Sequence, residues 1–196
     1  MLVTIENLIG IPVMSLQTGT KLAETTAAII DPRQLTIAAF YVEGPHLEQS
    51  PSILHPSDIR ELGELGMIVD DADKLTSLDG LVRLQQVLDF GFELVGLKVV
   101  DERKHKLGKV TGYGVDTTSY NIMQVYTEQP LFRSLSSGGS TIHRSQIISV
   151  NNRQMVVQSP TIRAEEKSAK AEVAKAFVNP FRSNNPQPDS TNRSQT

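Results

Sequence analysis

The chain contains one stretch twice, and that repetition limits its fold more than any other feature. Residues 95–125 read VGLKVVDERKHKLGKVTGYGVDTTSYNIMQV. A shift of 85 residues puts Leu22 on Leu107, Thr26 on Thr111, Asp31 on Asp116, Ile37 on Ile122 and Tyr41 on Tyr126. Glu43 and Pro45 fall on Glu128 and Pro130 in the same register. Three residues are then gained in a loop. The match resumes at a shift of 88, with His55 on His143, Ser57 on Ser145, Ile59 on Ile147, Met67 on Met155 and Val69 on Val157. Upstream, Ile9-Gly10-Ile11 aligns with Val95-Gly96-Leu97 at a shift of 86. A fixed internal period marks one structural unit used more than once. Two copies of one small fold are expected, with residues 9–70 superposing on 95–158.

Each copy reads as short strands broken by turn signals. In the first, residues 9–16 (IGIPVMSL) form an apolar run closed by Gln17-Thr18-Gly19-Thr20. Residues 21–31 (KLAETTAAIID) end at Asp31-Pro32, where Asp caps its own backbone and Pro presets φ. A third strand, LTIAAFYVE, stops at Gly44-Pro45. After a loop come Ile53-Leu54-His55, the segment SDIREL, a turn over 63–66 and Met67-Ile68-Val69. Strands this short, with turns every eight to twelve residues, indicate a sandwich or small barrel. At this size a barrel is the economical choice, because closure leaves no open edge.

Between the copies, Leu81, Leu84 and Leu88 keep helical spacing with Val87 alongside. Ser77 is a candidate cap, Asp79 suits the first turn and Gly91 can end the helix. A bridging helix is expected, its apolar face against one or both barrels. Beyond Pro160, IRAEEKSAKAEVAKAFV predicts a second helix, and NPFRSNNPQPDSTNRSQT has the polar, Pro-rich composition of a disordered tail. The expected organisation is a first domain over 1–70, a linker with a helix over 71–94 and a second domain over 95–160. A C-terminal helix over 161–178 and a tail over 179–196 follow.

The net charge of −3 hides a split. Residues 1–70 carry nine acidic and three basic side chains, whereas residues 95–162 carry four acidic and eight basic. Packing does not require that contrast; such fields act on partners and solubility. The chain has no Cys, which removes disulfides, thiolate chemistry and Cys-based metal sites and suits the cytoplasm. The opening MLVTIENLIGIPV lacks a basic n-region, so no signal peptide is expected. The longest apolar run, residues 37–42, is far short of the roughly 18 residues of a membrane helix. A soluble protein without integral membrane contact is expected.

Each copy resembles the PRC-barrel module, found in the photosynthetic reaction centre H subunit and in a bacterial ribosome maturation factor. The resemblance rests on the apolar-Gly-apolar opening (Ile9-Gly10-Ile11, Val95-Gly96-Leu97) and the Lys-Leu pair after a turn (Lys21-Leu22, Lys106-Leu107). It continues in an apolar-Asp step (Ile30-Asp31, Val115-Asp116) and an alternating strand. The Gly that usually follows the Leu is kept as Gly108 but is Ala23 in the first copy. The Pro after the Asp is kept as Pro32 but is Thr117 in the second. The resemblance implies a six-stranded, half-open barrel serving as an adaptor surface, with no catalytic residues common to the family. The fold class is thus mainly β, two tandem half-open barrels joined by a short helix.

The strongest charge cluster is Arg103, Lys104, His105 and Lys106, with Lys109 and Lys98 nearby. It fits an anionic partner, an acidic protein face, ribosomal RNA or lipid headgroups; the competing reading is a solvated hairpin turn. No aromatic is interleaved, which argues against stacking on single strands. Leu131, Phe132 and Leu135 sit on a Gly-Ser-rich loop, a pattern for contact with a partner or for folding back on the barrel. His55 and His143 are repeat equivalents, which suggests a shared structural job over a metal site, since no ligand spacing such as His-x₃-His occurs. Asp31, Asp116 and Asp58 read as turn caps ahead of catalytic carboxylates. No cofactor motif stands in the sequence. The expectation is a non-catalytic adaptor with a protein partner held by the second copy. A ribosome-maturation or RNA-processing factor is the alternative, and a hydrolase-type enzyme the third class.

Overall fold

The structure, a computed structural model, describes residues 1–45, 47–78, 81–128 and 140–158. The expected C-terminal helix and tail, and Leu131, Phe132 and Leu135, lie outside the described residues. In chain order the strands of the first half are β1 (Leu2–Thr4), β2 (Pro12–Ser15), β3 (Lys21–Asp31), β4 (Thr36–Glu43), β5 (Ser52–Leu54), β6 (Ile59–Gly63), β7 (Gly66–Val69) and β8 (Leu75–Thr76). Helix α1 (Val82–Asp89) follows. Then come β9 (Lys98–Asp101), β10 (Lys106–Asp116), β11 (Ile122–Glu128), β12 (Ser140–His143), β13 (Ile147–Val150) and β14 (Gln154–Val157). Both sheets belong to one compact unit, Met1–Ser159.

The two copies share their topology down to single pairings. One sheet runs β6-β7-β2-β3-β4-β5-β8 and the other β13-β14-β9-β10-β11-β12, with β1 added on β10. Val13 pairs in parallel with Met67, and its equivalent Val99 with Met155. Phe40 faces Leu54 as Val125 faces Ile142. Both long strands, β3 and β10, carry two register shifts at matching places, after Thr25 and Val110 and after Ile29 and Gly114. Bulges of this kind bend a strand and increase its twist. Neither ladder closes on itself, contrary to the closure expected of a small barrel. The end strands β6 and β8 do not pair, nor do β12 and β13, and each sheet stays an open, mixed layer.

The inner faces of both sheets feed one apolar core. Val13, Phe40, Leu54 and Met67 come from one copy, and their equivalents Val99, Val125, Ile142 and Met155 from the other. The copies meet at the β3–β4 and β10–β11 turns. Ile37 N–H donates to Tyr120 O and Ile122 N–H to Leu35 O, each at 2.9 Å, around a bridge between Thr36 and Asn121. Exchanging the copies maps each bond onto the other and Thr36 onto Asn121. The contact is therefore isologous, a two-fold interface within one chain. Leu35 (φ 48°) and Tyr120 (φ 55°) are left-handed without being glycine. That conformation costs roughly 1–2 kcal/mol per residue. Burial of both side chains, each 7% exposed, returns about 1.5–3 kcal/mol apiece and outweighs it.

The outer faces differ between copies. On the first sheet Ile29, Ala39 and Ile53 are covered by α1, whose Leu84 is buried among them with Leu81, Val87 and Leu88 alongside. The helical spacing read from the sequence thus points at the first sheet. Gly91, at φ 56°, closes the helix with its N–H on Leu88 O at 2.8 Å. Ser77 is not the cap, contrary to expectation. The chain first forms β8, and Leu81 takes the cap position with no side-chain bond. In the second copy the matching outer residues are Gly114, Gln124 and Thr141, which offer a helix little to bury. There β1 pairs with β10, Thr4 opposite Gly114. A Cβ at Gly114 would lie 2.9 Å from Tyr126 Oη and 3.3 Å from Leu2 Cδ1, so a larger residue there would displace these side chains. The N-terminal strand therefore serves the second sheet although it precedes the first copy.

Candidate functional site

The basic residues singled out above come together at one end of the second sheet. The β9–β10 turn is built on Asp101, whose side chain is buried. Its Oδ1 accepts from Arg103 N at 2.9 Å and His105 N at 2.7 Å, while Oδ2 lies 2.8 Å from His105 Nδ1. An ionised carboxylate only accepts, so Nδ1 is the donor in this contact. Burial pushes the Asp101 carboxyl up, but the bonds from His105 and Arg103 outweigh it, and its pKa is lowered. Arg103, Lys104, His105 and Lys106 are exposed around this anchor.

The first copy shows what was changed. There the turn hangs on Ser15, whose Oγ accepts from Thr18 N at 3.1 Å, and the left-handed position is Gly19 (φ 68°). In the second copy the same backbone position is Lys104, at φ 64°. Gly19 N–H donates to Ser15 O (2.9 Å) across four residues and Lys104 N–H to Asp101 O (3.0 Å) across three, so the second turn is one residue shorter. The shorter turn has a carboxylate for the hydroxyl and a lysine for the glycine.

The strand surface next to the turn changes in the same sense. Lys98 on β9 stands directly opposite Lys109 on β10, a like-charge cross-strand pair that disfavours folding. Lys106 pairs with Val100 two places along the same face. The equivalent pair in the first copy is Pro12 opposite Glu24. Lys98, Arg103, Lys104, Lys106 and Lys109 outnumber the two carboxylates of this end, Asp101 and Glu102. In the first copy Lys21 is bonded to Glu24 and Arg60 to Asp70.

The other candidates separate from this surface. Asp31 Oδ1 accepts from Arg33 N at 2.9 Å, and Asp116 Oδ2 accepts from Ser119 N at 3.1 Å and Ser119 Oγ at 2.7 Å. Both are turn caps. The Ser119 hydroxyl, then the Met1 ammonium 3.1 Å away, hold the Asp116 carboxyl at about 2 against an ordinary 3.8. A depressed carboxylate adds stability above its unfolded value and loses it as pH falls through the folded one, here between 3.8 and about 2. Ser119→Ala should raise the Asp116 pKa toward the ordinary value, read from its carboxyl ¹³C shift against pH. An unmoved titration would show that Ser119 is not the cause.

His55 and His143 each precede a one-turn 3₁₀ helix, Pro56–Asp58 and Arg144–Gln146. His143 N–H donates to Gln146 Oε1 at 2.9 Å, and His55 O accepts from Asp58 N at 3.0 Å. Among the described residues no group of three or more His, Cys, Asp or Glu could hold a metal, and no helix is long and apolar enough to cross a membrane. Two residues escaped the sequence reading. Asp101 is a buried acceptor and more than a turn residue. Arg144 donates from Nη1 to Leu35 O (2.7 Å) and Ile122 O (3.1 Å), and from Nη2 to Gln34 O, tying the copies together. Its repeat equivalent is Pro56, so a mismatch in the alignment was the available signal. Neither a protein-family model nor a curated protein matches the chain.

Proposed function

We propose that the chain is a non-catalytic adaptor made of two PRC-barrel-like, half-open modules, and that the basic face of the second holds a protein with an acidic surface. One observation carries the reading. The same scaffold gathers five cations, Lys98, Arg103, Lys104, Lys106 and Lys109, at the β9–β10 end of the second copy, where the matching end of the first has Lys21, bonded to Glu24. The cost of that choice supports it as well, since Lys104 occupies a left-handed position and Lys98 faces Lys109. Strain kept at an exposed turn points toward use. The groups with displaced pKa values serve other ends: Asp101 and Asp116 cap turns, Tyr113 and Tyr120 are raised by burial, and Arg60 is raised by its bond to Asp70.

Recovery of partners on the immobilised chain tests this. Arg103→Glu with Lys104→Glu and Lys106→Glu should abolish recovery, and the unmodified chain should release its partner as salt shortens the Debye length from about 10 to 3 Å. Lys104→Gly should weaken recovery while stabilising the fold by about 1 kcal/mol, because the left-handed strain is relieved. A structural role alone would not pair a gain in stability with a loss of binding. Loss of the partner on RNase treatment would replace a protein with a ribonucleoprotein. Recovery unchanged by charge reversal but lost in Phe132→Ala would move the contact to the 131–135 loop.

A further inference from the structure

The first copy and its helix, residues 1–94, carry fourteen acidic side chains and only five basic ones. Three of the five are spent on local pairs: Lys21 with Glu24, Arg60 with Asp70, and Lys74 with Asp73. The remaining two, Arg33 and Arg83, are fifty residues apart in sequence and make no ion pair among the described residues. Both line the same cleft, of about 330 Å³, between the β3–β4 turn and α1. In so acidic a half, two guanidinium groups at one opening demand a reason.

The cleft is equipped to receive an anion with a flat body. Gln34 and Gln86 add amide donors beside the two arginines, and Phe90 forms part of the wall. The Arg33 guanidinium lies over the Phe90 ring, 5.5 Å from its centroid, and the ring is 44% exposed. Cation–π contact holds a guanidinium plane while leaving its N–H fork free. Both walls are also set in advance. The turn is held from within by Asp31 on Arg33 N and from the second copy by Arg144 on Gln34 O and Leu35 O. The helix is held by buried Leu84. Preorganised donors bind with less ordering cost.

Charge selects the ligand class. Asp31 also lines the cleft, so two arginines and one carboxylate leave one net positive charge. A monoanion neutralises it, whereas a dianion such as a phosphate monoester would leave excess charge inside an acidic half. The guanidinium fork matches a planar carboxylate with two parallel bonds. The volume sits at the low end of small-molecule sites. We infer that this cleft binds a small organic monocarboxylate with an aromatic or apolar body, its carboxylate between Arg33 and Arg83 and its body on Phe90. The site lies on the opposite copy from the basic face and stands independently of the adaptor reading.

Titration of the ¹⁵N-labelled full chain tests it, with benzoate as probe and benzamide and inorganic phosphate as controls. Benzoate should shift the Arg33 and Arg83 Nε–H signals and the Gln34 and Gln86 amides saturably. Benzamide, isosteric but neutral, and phosphate should not. Arg33→Gln and Arg83→Gln should each weaken benzoate binding about tenfold or more, as loss of a charge-assisted bond requires. Both side chains are exposed, so the variants' own spectra verify the fold. Four results would each overturn the assignment: no saturable shift, equal response to benzamide or phosphate, unchanged affinity in both variants, or shifts confined to residues 98–109.

Discussion

Phe40→Ala is expected to lower the unfolding free energy by about 3–5 kcal/mol and to weaken both copies together. Phe40 is the largest fully buried side chain among the described residues, at 0% exposure, and it sits on β4 between Ala28 of β3 and Leu54 of β5. Its ring also meets Tyr120 of the other copy edge-on, with centroids 6.0 Å apart and planes at 76°. Such aromatic pairs add about 0.5–1.5 kcal/mol beyond burial. Truncation leaves a cavity that the two-fold contact cannot easily fill, since Leu35 and Tyr120 are already fixed by reciprocal hydrogen bonds. Denaturant unfolding followed by far-UV circular dichroism and by tyrosine fluorescence separates the possibilities. Of four tyrosines, Tyr113, Tyr120 and Tyr126 lie in the second copy, so fluorescence reports mainly on that half. Both transitions should move to lower denaturant and stay coincident. A fluorescence transition that stays in place while the dichroism shifts would mean that the copies unfold independently, and the shared core would be misread.

How much of this was legible in the sequence depends on whether the information was local. The strand pairings inside each copy follow the alignment closely, because hydrophobic alternation and turn residues such as Asp31-Pro32 act over a few positions. The helix spacing of Leu84, Val87 and Leu88 was also local, and so was visible. What covers each outer face was not. It depends on whether Ile29, Ala39 and Ile53, or Gly114, Gln124 and Thr141, stand side by side, and that is known only once register is known. The left-handed Leu35 and Tyr120 gave no warning, since neither is Gly or Asn. They are tolerated because the other copy packs on them.

The candidate surfaces divide in the same way. The run 103–106 is contiguous and was seen, but its anchor Asp101 looked like one more polar turn residue until burial showed it to be the acceptor. Arg33 and Arg83 are each unremarkable in sequence. Their meaning comes from the pairs that the other three cations make and they do not. A lone arginine cannot announce that a second one shares its cleft. β1 is the remaining case: three residues are too short for periodicity to show that they complete β10.

Leu84→Ala should cost about 2–4 kcal/mol, out of proportion to the eight-residue helix that carries it. A helix of two turns is not stable alone in water, so α1 exists because it docks. Leu84 is its one buried residue, 4% exposed against Ile29, Ala39 and Ile53; Leu81, Val87 and Leu88 are half-buried around it. No side-chain cap supports the N-terminus at Leu81, and only the Gly91 turn secures the other end. Losing Leu84 therefore removes the anchor and weakens the helix at once. Leu88→Ala should cost less, because less of its side chain leaves water on folding. Hydrogen exchange gives the second reading: amides of α1 should lose protection in Leu84→Ala while those of β10 and β11 keep theirs. If Leu88→Ala proves the more damaging, or if α1 stays as protected as in the parent chain, the helix is not held by this contact. If the anchor is as described, the variant also dissolves one wall of the Arg33–Arg83 cleft, and benzoate binding should fall with helix protection as their common consequence.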